Sequence, residues 1–409
     1  MGSITPALFD GLLKKFYTPR KLESMLFKDF PLLMAVEKLS NAGGSSFEQP
    51  VMNGANTKRS ADYATAYAGT APAVAARFSL PYVQDYALSE IDGKVFAESN
   101  VNLGSYMKVF QQQTDASMRA LRKSYAMKLY RTGTGSVCQL AATANTASSI
   151  VALANPADTY CFEIGDVVQA STADGGTLRG GEVTIADIDP SAGTLTCTGV
   201  YNSTITQGTA SDFLYLKGDA SNNSTAVVIP GLLAWSPATT AALSTTFNGV
   251  LRSTDRRRLA GLYFPNTQAY PIDEQIQNAI TGLVANGATP NAAFLNPVDH
   301  LALVKVAGNK VMRQQGGTAQ IGFQAVDFIS SNGTIPCYPD PACPAGKAFV
   351  VDTTGLVLVS MGNIAEPMKQ GDATAVQKKP GSDSYYVAFG GYPTFAVERP
   401  GQCIATVEL

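Results

Sequence analysis

The longest regular pattern of apolar positions in this sequence lies between residues 103 and 129. Large side chains recur there at intervals of three and four residues: Leu103, Met107, Phe110, Thr114, Met118, Leu121, Tyr125 and Leu129. This is the period of an α-helix, and a helix of this length spans about 40 Å. The segment Thr132-Gly133-Thr134-Gly135 that follows is a typical stop signal. The pattern therefore predicts one long helix.

Polar and basic residues occupy the opposite face of this predicted helix, namely Lys108, Gln111, Arg119, Arg122 and Lys123. Simple solvation explains such a face, and so does contact with an anionic partner. The sequence leaves both explanations open.

A β-strand pattern precedes the helix. Phe78, Leu80, Tyr82, Tyr86 and Leu88 stand at alternate positions, with one polar member between them. With a strand at 45–53, this pattern predicts a long β-hairpin over 45–92. Its tip, 54–75, is rich in Ala, Thr, Gly and Tyr and is expected to be a loop. Because a two-stranded ribbon is marginally stable alone in water, we expect it to lie on a neighbouring subunit.

Short helical segments precede the ribbon. Thr5-Pro6 and Thr18-Pro19 each combine an N-cap residue with proline at the first helical position. A third segment begins at Pro31 and extends to about Lys38. Because each is too short to be stable without a surface to lie on, residues 1–44 are predicted to form an extended helical arm.

Beyond the long helix the sequence predicts two further regions. Over 132–225, short alternating runs between glycine-rich turns predict strands at VVQAS, EVTIADI, GTLTCTG and DFLYL, and hence a small all-β inserted module. Over 226–340, the pattern is mixed α/β: a helix at about 271–285, then a buried strand AAFLN and a second helix capped by Asn296, with Gly308-Asn309 at its end. The closing segment predicts two hairpins, KAFVVD with GLVLVSM and PTFAVE with QCIATVEL.

Composition narrows the possible functions. Hydrophobic residues make up 45% of the chain, which indicates a folded protein, while charged residues are only 15%, against roughly 25% in ordinary soluble domains. Such a protein exposes little surface or covers much of it with partners. The net charge of -2 argues against a strongly basic nucleic-acid binder and against an acidic tail. No apolar run is long enough for a membrane span, and the N-terminus is interpreted as an unprocessed cytosolic start.

Residues suited to catalysis are few. His300 is the one histidine, and its place in a predicted helix favours a position on the helix surface or at an interface over a catalytic role. The sequence has no Walker loop, no nucleophile elbow and no recognisable set of zinc ligands. The six cysteines are expected to be buried free thiols, although Cys337 and Cys343 bracket a loop and could pair in an oxidising compartment. We therefore predict no enzyme, no cofactor and no metal site.

Three consecutive arginines stand out, because Arg256, Arg257 and Arg258 follow Asp255 in a short polar segment. Neighbouring arginines repel one another, and arginine is suited to paired contacts with carboxylates. The segment is either a solvated loop or a bridge to an acidic residue of a neighbouring subunit.

The order of these elements resembles the Hong Kong 97-like major capsid proteins of tailed bacteriophages. The resembling pieces are the arm ending in LFKDFPLLMAVEKL, the ribbon at 45–92, the long helix, AAFLNPVDHLAL, KAFVVDTTGLVLVSM and the terminal AVERPGQCIATVEL. They cover most of the chain outside 132–225. The specificity of the resemblance lies in the order of elements, since no single motif is diagnostic.

The resemblance implies an α+β Hong Kong 97-like fold with an all-β insertion domain. Its parts would be an N-terminal arm (1–44), an E-loop ribbon (45–92), a P-domain with the spine helix (93–131), the insertion domain (132–225), an A-domain (226–340) and closing P-domain strands (341–409). The short segment before the ribbon implies a separate scaffolding protein, or none.

The function implied is that of a structural major capsid protein, which would be assembled in the host cytoplasm and located in the virion. Many copies would form hexamers and pentamers of an icosahedral head around double-stranded DNA, which they would contact weakly. Scaffolding, portal and decoration proteins are the other expected partners, with no membrane and no cofactor. Candidate intersubunit contacts are Lys58, Arg59, Asp62, Tyr63 and Tyr67 near the ribbon tip, and Arg256, Arg257 and Arg258. Relatives sometimes join a lysine to an asparagine covalently, and Lys58 could be such a donor, but no acceptor can be matched.

Two other classes stay open at this point. One is an encapsulin-like bacterial nanocompartment shell of the same fold. The other is a β-rich phage tail or adhesin component, which predicts β-structure throughout the chain.

Overall fold

The computed structural model describes residues 30–40, 42–53, 59–69, 74–94, 103–221, 227–310, 326–330, 333–364, 366–368 and 376–409. The helical segments predicted before Phe30 lie outside these residues, as do the apolar side chains predicted at Leu103, Met107 and Phe110.

Ten α-helices lie within the described ranges: α1 Pro31–Ala35, α2 Tyr63–Ala68, α3 Leu103–Tyr130, α4 Tyr201–Thr204, α5 Leu232–Trp235, α6 Thr240–Leu243, α7 Arg256–Leu259, α8 Ile272–Ala285, α9 Pro297–Lys310 and α10 Pro400–Cys403. Short 3-10 turns lie at Pro156–Cys161, Arg252–Asp255 and Thr353–Gly355.

The strands in the described ranges are β1 Glu37–Leu39, β2 Ser46–Met52, β3 Ala75–Pro81, β4 Asp85–Asp92, β5 Ser136–Gln139, β6 Ile150–Ala152, β7 Val167–Ser171, β8 Val183–Asp189, β9 Thr194–Cys197, β10 Phe213–Leu216, β11 Thr246–Phe247, β12 Val250–Leu251, β13 Leu262–Phe264, β14 Ala292–Leu295, β15 Val326–Ser330, β16 Gly333–Pro339, β17 Lys347–Val351, β18 Leu356–Ser360, β19 Glu366–Pro367, β20 Val376–Lys378, β21 Ser384–Gly391, β22 Pro393–Val397 and β23 Ile404–Glu408.

The predicted long helix is present as α3, and its periodic face is buried wherever its side chains are described. Met118, Leu121, Tyr125 and Leu129 each expose 2% or less of their surface. The basic face is not uniformly solvated, because Arg122 is buried and Lys123 pairs with Glu163 at 2.6 Å. Lys108 and Gln111 of that face lie outside the residues whose side chains are described.

The ribbon is shorter than the sequence predicted. β2 pairs with β3 from Ser46 opposite Pro81 to Met52 opposite Ala75. The alternating pattern continues through residues 82–84, but the strand does not: β4 leaves the ribbon and pairs with β21 over eight residue pairs. β4 also packs on α3, so half of the predicted return strand belongs to a sheet that covers the spine helix. The prediction of one hairpin over 45–92 is wrong in this part.

The prediction of a structureless tip at 54–75 is also wrong. Tyr63–Ala68 form the helix α2, and Asp62 caps it by accepting a hydrogen bond from the main-chain N–H of Thr65 at 2.8 Å. Asp three residues before Thr at the start of an Ala-rich run is an N-cap signal that the sequence carried.

The β-rich region forms a closed barrel. Its strands follow the order β5-β10-β7-β8-β9-β6, with every pairing antiparallel. Beyond the ends of β5 and β6, Leu140 bridges Leu153, and Ala154 N–H donates to the carbonyl of Gln139 at 2.9 Å. This contact joins the two outer strands at that point and closes the six strands into a barrel. All four strands predicted in this region are present.

The strands after residue 340 contribute to three different sheets, and β19, β20 and β21 form the one that includes β4. β17 pairs with β14 and β23, whereas β18 pairs with β1 and β22. The predicted hairpins KAFVVD–GLVLVSM and PTFAVE–QCIATVEL are therefore wrong. The 3-10 turn Thr353–Gly355 carries the chain from a six-stranded sheet, β13-β23-β17-β14-β16-β15, to a three-stranded one, β1-β18-β22.

The six-stranded sheet has its own core. α8, which confirms the helix predicted at about 271–285, buries Ile276, Ala279, Ile280 and Leu283 against it. Asn296 caps α9 by accepting from Val298 N–H at 3.0 Å, which confirms the predicted cap. α9 continues past Gly308-Asn309 to Lys310. In the third helical segment, by contrast, α1 ends at Ala35 and the chain then forms β1, not the predicted helix to Lys38.

Candidate assembly surfaces

The root of the ribbon is anchored in its own chain. Phe78 and Leu80 of β3 are fully buried, and the Phe78 ring lies edge-on to Trp235 with ring centroids 5.0 Å apart. Phe247 completes the aromatic cluster at 5.2 Å from Trp235. The sequence predicted that the whole hairpin would lie on a neighbouring subunit. The root of the ribbon instead packs on its own chain.

A tight turn supports this anchor. Asn248 and Gly249, which join β11 to β12, both have positive φ, at 46° and 86°, as a two-residue hairpin of type I′ requires. The Asn248 carbonyl accepts a hydrogen bond from Ser79 N–H of the ribbon at 2.9 Å. The turn thus fixes β3 to the body of the protein.

Arg252 lies beneath the same cluster, although sequence analysis had not singled it out. Its guanidinium is 4.3 Å from the Phe247 ring centroid and donates to the Ala234 carbonyl at 2.6 Å. Burial lowers the pKa of Arg252 to about 10, because no carboxylate among the described residues compensates its charge. Arg252 therefore acts as a structural tie between α5 and the β11–β12 hairpin.

The tip of the ribbon, in contrast, is exposed. Tyr63 and Tyr67 expose 82% and 73% of their surface, and their rings stack on each other with centroids 6.2 Å apart. Asp62 and Arg59 are also exposed, and two hydrogen bonds from Thr65 lower the pKa of Asp62. Lys58 lies outside the described residues. The structure thus brings Asp62, Tyr63 and Tyr67 together on α2, an ordered helix with no buried residue.

The three predicted arginines have different surroundings. Arg258 pairs with Asp255 at 2.8 Å, and Arg257 donates from Nε to the Asn286 side chain at 2.8 Å. Arg256 is exposed, and no described residue bonds to it. Two of the three side chains therefore bond within the chain. Arg256 has no bonding partner among the described residues, so its side chain is available to another molecule.

A buried ion-pair network joins the ribbon exit, the spine and the barrel. Lys128 of α3 contacts Asp85 of β4 at 2.9 Å and Asp219, just after the barrel, at 3.2 Å. Ser124 also donates to Asp85, at 2.7 Å. Burial raises the pKa of Asp219, and the Lys128 charge opposes that shift. Sequence analysis missed this network because its members are far apart in the chain.

A second buried carboxylate fixes the arm. Asp340 accepts hydrogen bonds from Tyr130 Oη at 2.8 Å, Leu32 N–H at 3.2 Å and Ala342 N–H at 2.9 Å. It thereby joins α1, the end of α3 and the loop after β16. Burial raises the pKa of Asp340 although all three donors lower it.

The side chains that the sequence offered for catalysis, His300 and the cysteines, are buried. His300 is only 7% exposed, so of its two predicted positions the exposed helix surface is wrong, while the interface stays a prediction, and burial lowers its pKa. All six cysteines are buried free thiols, as predicted, and burial raises the pKa of Cys197 to about 11, far from a reactive thiolate. Within the described ranges no group of His, Cys, Asp and Glu side chains could hold a metal ion. The described helices include none with the length and apolar character needed to cross a bilayer.

Comparison with known proteins identifies similar chains. Residues 202–384 match the profile of the family described as SU10 major capsid protein. A chain from the cyanophage A-1(L) capsid asymmetric unit is similar in structure, with a TM-score of 0.51 and 12% identity over 93% of this chain and 92% of that chain. This likeness shows a shared fold.

Weaker likenesses extend to other particles. A chain from Mycobacterium phage Adephagia aligns with a TM-score of 0.45 and 9% identity over 100% of this chain and 98% of that chain. A chain of the holo-SrpI encapsulin complex from Synechococcus elongatus PCC 7942 aligns with a TM-score of 0.44 and 7% identity over 93% and 88%. No curated protein sequence gives a significant match.

Proposed function

We propose that this chain is a Hong Kong 97-like phage major capsid protein and that its copies form the hexamers and pentamers of an icosahedral head that encloses double-stranded DNA. One observation carries the proposal. The ribbon ends in a helix whose aromatic side chains are not covered by any residue that the structure describes. Since exposed apolar side chains on an ordered projection mark a contact with another molecule, the tip is expected to be buried in the assembly.

The anchored root supports the same conclusion. Because Phe78 and Leu80 are buried in the chain's own core, the ribbon projects in a fixed direction. A rigid projection loses little conformational entropy when it binds, so even a modest contact area contributes to affinity. The same contact is repeated at every subunit of a closed shell.

We also propose a division of the chain into domains. Residues 1–44 are assigned to an arm, 45–92 to an E-loop ribbon whose last strand, β4, returns to the sheet that covers the spine helix, 93–131 and 341–409 to a P-domain, 132–225 to an insertion domain and 226–340 to an A-domain. The barrel favours the insertion-domain assignment, because its six strands pair with one another and with no other strand of the described residues.

The role is structural and not catalytic. Burial of His300 and of every cysteine removes these side chains from substrate access, and no cofactor is invoked. The helices α3, α8 and α9 contradict an all-β tail component. Expected partners are many copies of the chain itself, scaffolding, portal and decoration proteins, and DNA held by weak non-specific contacts.

Assembly is the direct test. We expect purified protein, alone or coexpressed with its neighbouring genes, to sediment as closed particles or capsomer rings and to show hexamers and pentamers by electron microscopy. A compact monomer under every salt and scaffold condition would overturn the proposal. Particles filled with a dedicated cargo protein in place of DNA would favour a nanocompartment shell.

A further inference from the structure

A cleft lies between the β-barrel and the rest of the described chain, which we call the body. Its volume is about 760 Å³, and pockets of about 300–1,000 Å³ are the ones that hold small organic ligands. Barrel strands β5 and β10 contribute to one wall, and the helices α5 and α6 with the strands β13 and β17 contribute to the other. A ligand in this cleft would therefore contact the barrel and the body at once.

Apolar side chains line both walls of the cleft. Val137 and Phe213 come from the barrel, and Leu233, Pro237 and Phe247 come from the body. Because the burial of apolar surface is favourable in water, these side chains would bind the apolar part of a ligand.

The cations along the cleft are paired, with one exception. Arg131 pairs with Asp158 at 3.6 Å, and Lys347 pairs with Glu408 at 3.4 Å. Arg252 is the lining cation that has no carboxylate partner among the described residues. A buried cation without an anion is unfavourable, so an anion that enters the cleft would stabilise this charge.

The carboxylates of the lining do not supply that anion. One is Asp158, which is paired with Arg131. The other is Asp174, which accepts hydrogen bonds from the hydroxyls of Thr132 at 2.8 Å and Ser136 at 2.6 Å. The cleft thus combines apolar walls with one uncompensated positive charge.

The guanidinium of Arg252 has donors to spare. Its Nη1 donates to the Ala234 carbonyl at 2.6 Å, and its Nη2 makes a longer bond of 3.4 Å to the Ala242 carbonyl, which is only partly buried. Nε–H has no acceptor among the described residues. A guanidinium carries five N–H donors in a fork that matches a carboxylate, so Nε–H and Nη2–H could bind one side-on.

We propose that the cleft binds a free monocarboxylate with an apolar tail, whose carboxylate pairs with Arg252 and whose tail lies between the barrel and the body. A single negative charge matches the single uncompensated cation, whereas a phosphate dianion would bring a second charge that no lining residue balances. The site goes beyond the proposed function, because one copy of the chain contains all of it.

Calorimetric titration of the unassembled subunit tests the proposal. The probe is decanoate, at concentrations below those at which it forms micelles, with 1-decanol as the uncharged ligand of equal length and acetate as the charge without the tail. Since a hydrogen bond to a charged group adds about 1.5–3 kcal/mol, we expect decanoate to bind about tenfold or more tighter than 1-decanol. We expect no measurable binding of acetate. Equal affinities for decanoate and 1-decanol, or no binding of decanoate, would overturn the proposal.

Two variants locate the ligand. Arg252→Gln should reduce the affinity for decanoate to that for 1-decanol, and an unchanged affinity would overturn the pairing. Ala238→Phe narrows the cleft at an exposed lining residue without touching Arg252, so it should weaken binding of both probes at least severalfold even if Arg252→Gln fails to fold. Ala192→Phe, at an exposed barrel residue outside the lining, is the matched control and should bind like the native chain.

Hydrogen–deuterium exchange gives an independent result on the native subunit. Saturating decanoate should slow amide exchange on both walls, in residues 136–139 of the barrel and 237–242 of the body. Protection confined to other segments would overturn the site. Because these measurements use the unassembled subunit, a failure to form particles would contradict the proposed function and leave the carboxylate site standing.

Discussion

Phe78 of the ribbon packs edge to face against Trp235, with an angle of 63° between the rings. This contact makes the root of the ribbon part of the chain's own core. Because Trp235 is the single tryptophan of the sequence, its fluorescence reports on the anchor alone.

Replacing Phe78 with alanine should release the anchor. Both rings are fully buried, so we expect Phe78→Ala to lower the free energy of unfolding by about 3–5 kcal/mol. Denaturant unfolding of the unassembled subunit, followed by Trp235 fluorescence, measures the loss. Tyr63→Ala removes an exposed aromatic side chain from the same ribbon and should change stability by no more than about 0.5 kcal/mol. Equal losses in the two variants would contradict the anchor.

The Lys128 network gives a second prediction. Lys128→Met leaves Asp85 and Asp219 as two partly buried carboxylates without their cation, so we expect a loss of about 3–5 kcal/mol. Adding Asp219→Asn to this variant should restore part of the loss, because one uncompensated charge is removed. Lys217→Met, which breaks an exposed pair with Glu182, is the matched control and should cost less than about 1 kcal/mol. Thermal unfolding of the three variants measures these losses, and equal losses in Lys128→Met and Lys217→Met would contradict the prediction.

The arginine segment gives a third prediction, because the structure separates three residues that look alike in the sequence. Arg256→Ala should leave subunit stability within about 0.5 kcal/mol of the native value, since no described residue bonds to it. If this segment bridges subunits, Arg256→Ala should nevertheless raise the critical concentration for assembly.

The neighbouring positions serve as controls. Arg257→Ala breaks the bond to Asn286, which itself donates to the Gly401 carbonyl at 3.2 Å, and should destabilise the subunit by about 1 kcal/mol. Light scattering during assembly, combined with unfolding of the free subunit, separates the two effects. If Arg256→Ala assembles like the native chain, the segment is a solvated loop and not a bridge between subunits.

Local patterns in the sequence predicted local structure well. The period of α3, the cap at Asn296 and the barrel strands depend on residues within a few positions of one another, and all are present. Strand pairing was not predictable in the same way. The alternation through Tyr82 and Tyr86 is continuous in sequence, yet the chain changes sheets between them, because β4 pairs with a strand almost 300 residues later.

The same reason explains which surface residues were missed. The sequence indicated Tyr63, Tyr67 and the arginines because each lies in a locally unusual segment. Lys128, by contrast, lies 43 and 91 residues from its two acidic partners, Asp85 and Asp219. A local sequence pattern contains no information on contacts between residues that are this far apart in the chain.

The last prediction concerns pH and the buried carboxyl group of Asp340. Burial raises its folded-state pKa above the ordinary value, so the folded state binds a proton more tightly than the unfolded state. The contribution of this group to stability is therefore greatest below the ordinary Asp pKa and declines as pH rises through the raised pKa. The hydrogen bond from Tyr130 Oη opposes this decline, because it stabilises the ionised form.

Removing that donor should make the decline steeper. A hydrogen bond to an ionised carboxylate is stronger than one to a neutral carboxyl group, so Tyr130→Phe is expected to lower the free energy of unfolding by about 1.5–3 kcal/mol once Asp340 is ionised and by about 1 kcal/mol at a pH below the ordinary Asp pKa. Tyr125→Phe is the matched control, because Tyr125 Oη donates to the Ile364 carbonyl, which does not titrate, so its effect should be similar at both pH values. Denaturant unfolding of the free subunit at the two pH values measures both. A Tyr130→Phe loss that does not grow with pH would show that Asp340 stays protonated in the folded chain at neutral pH.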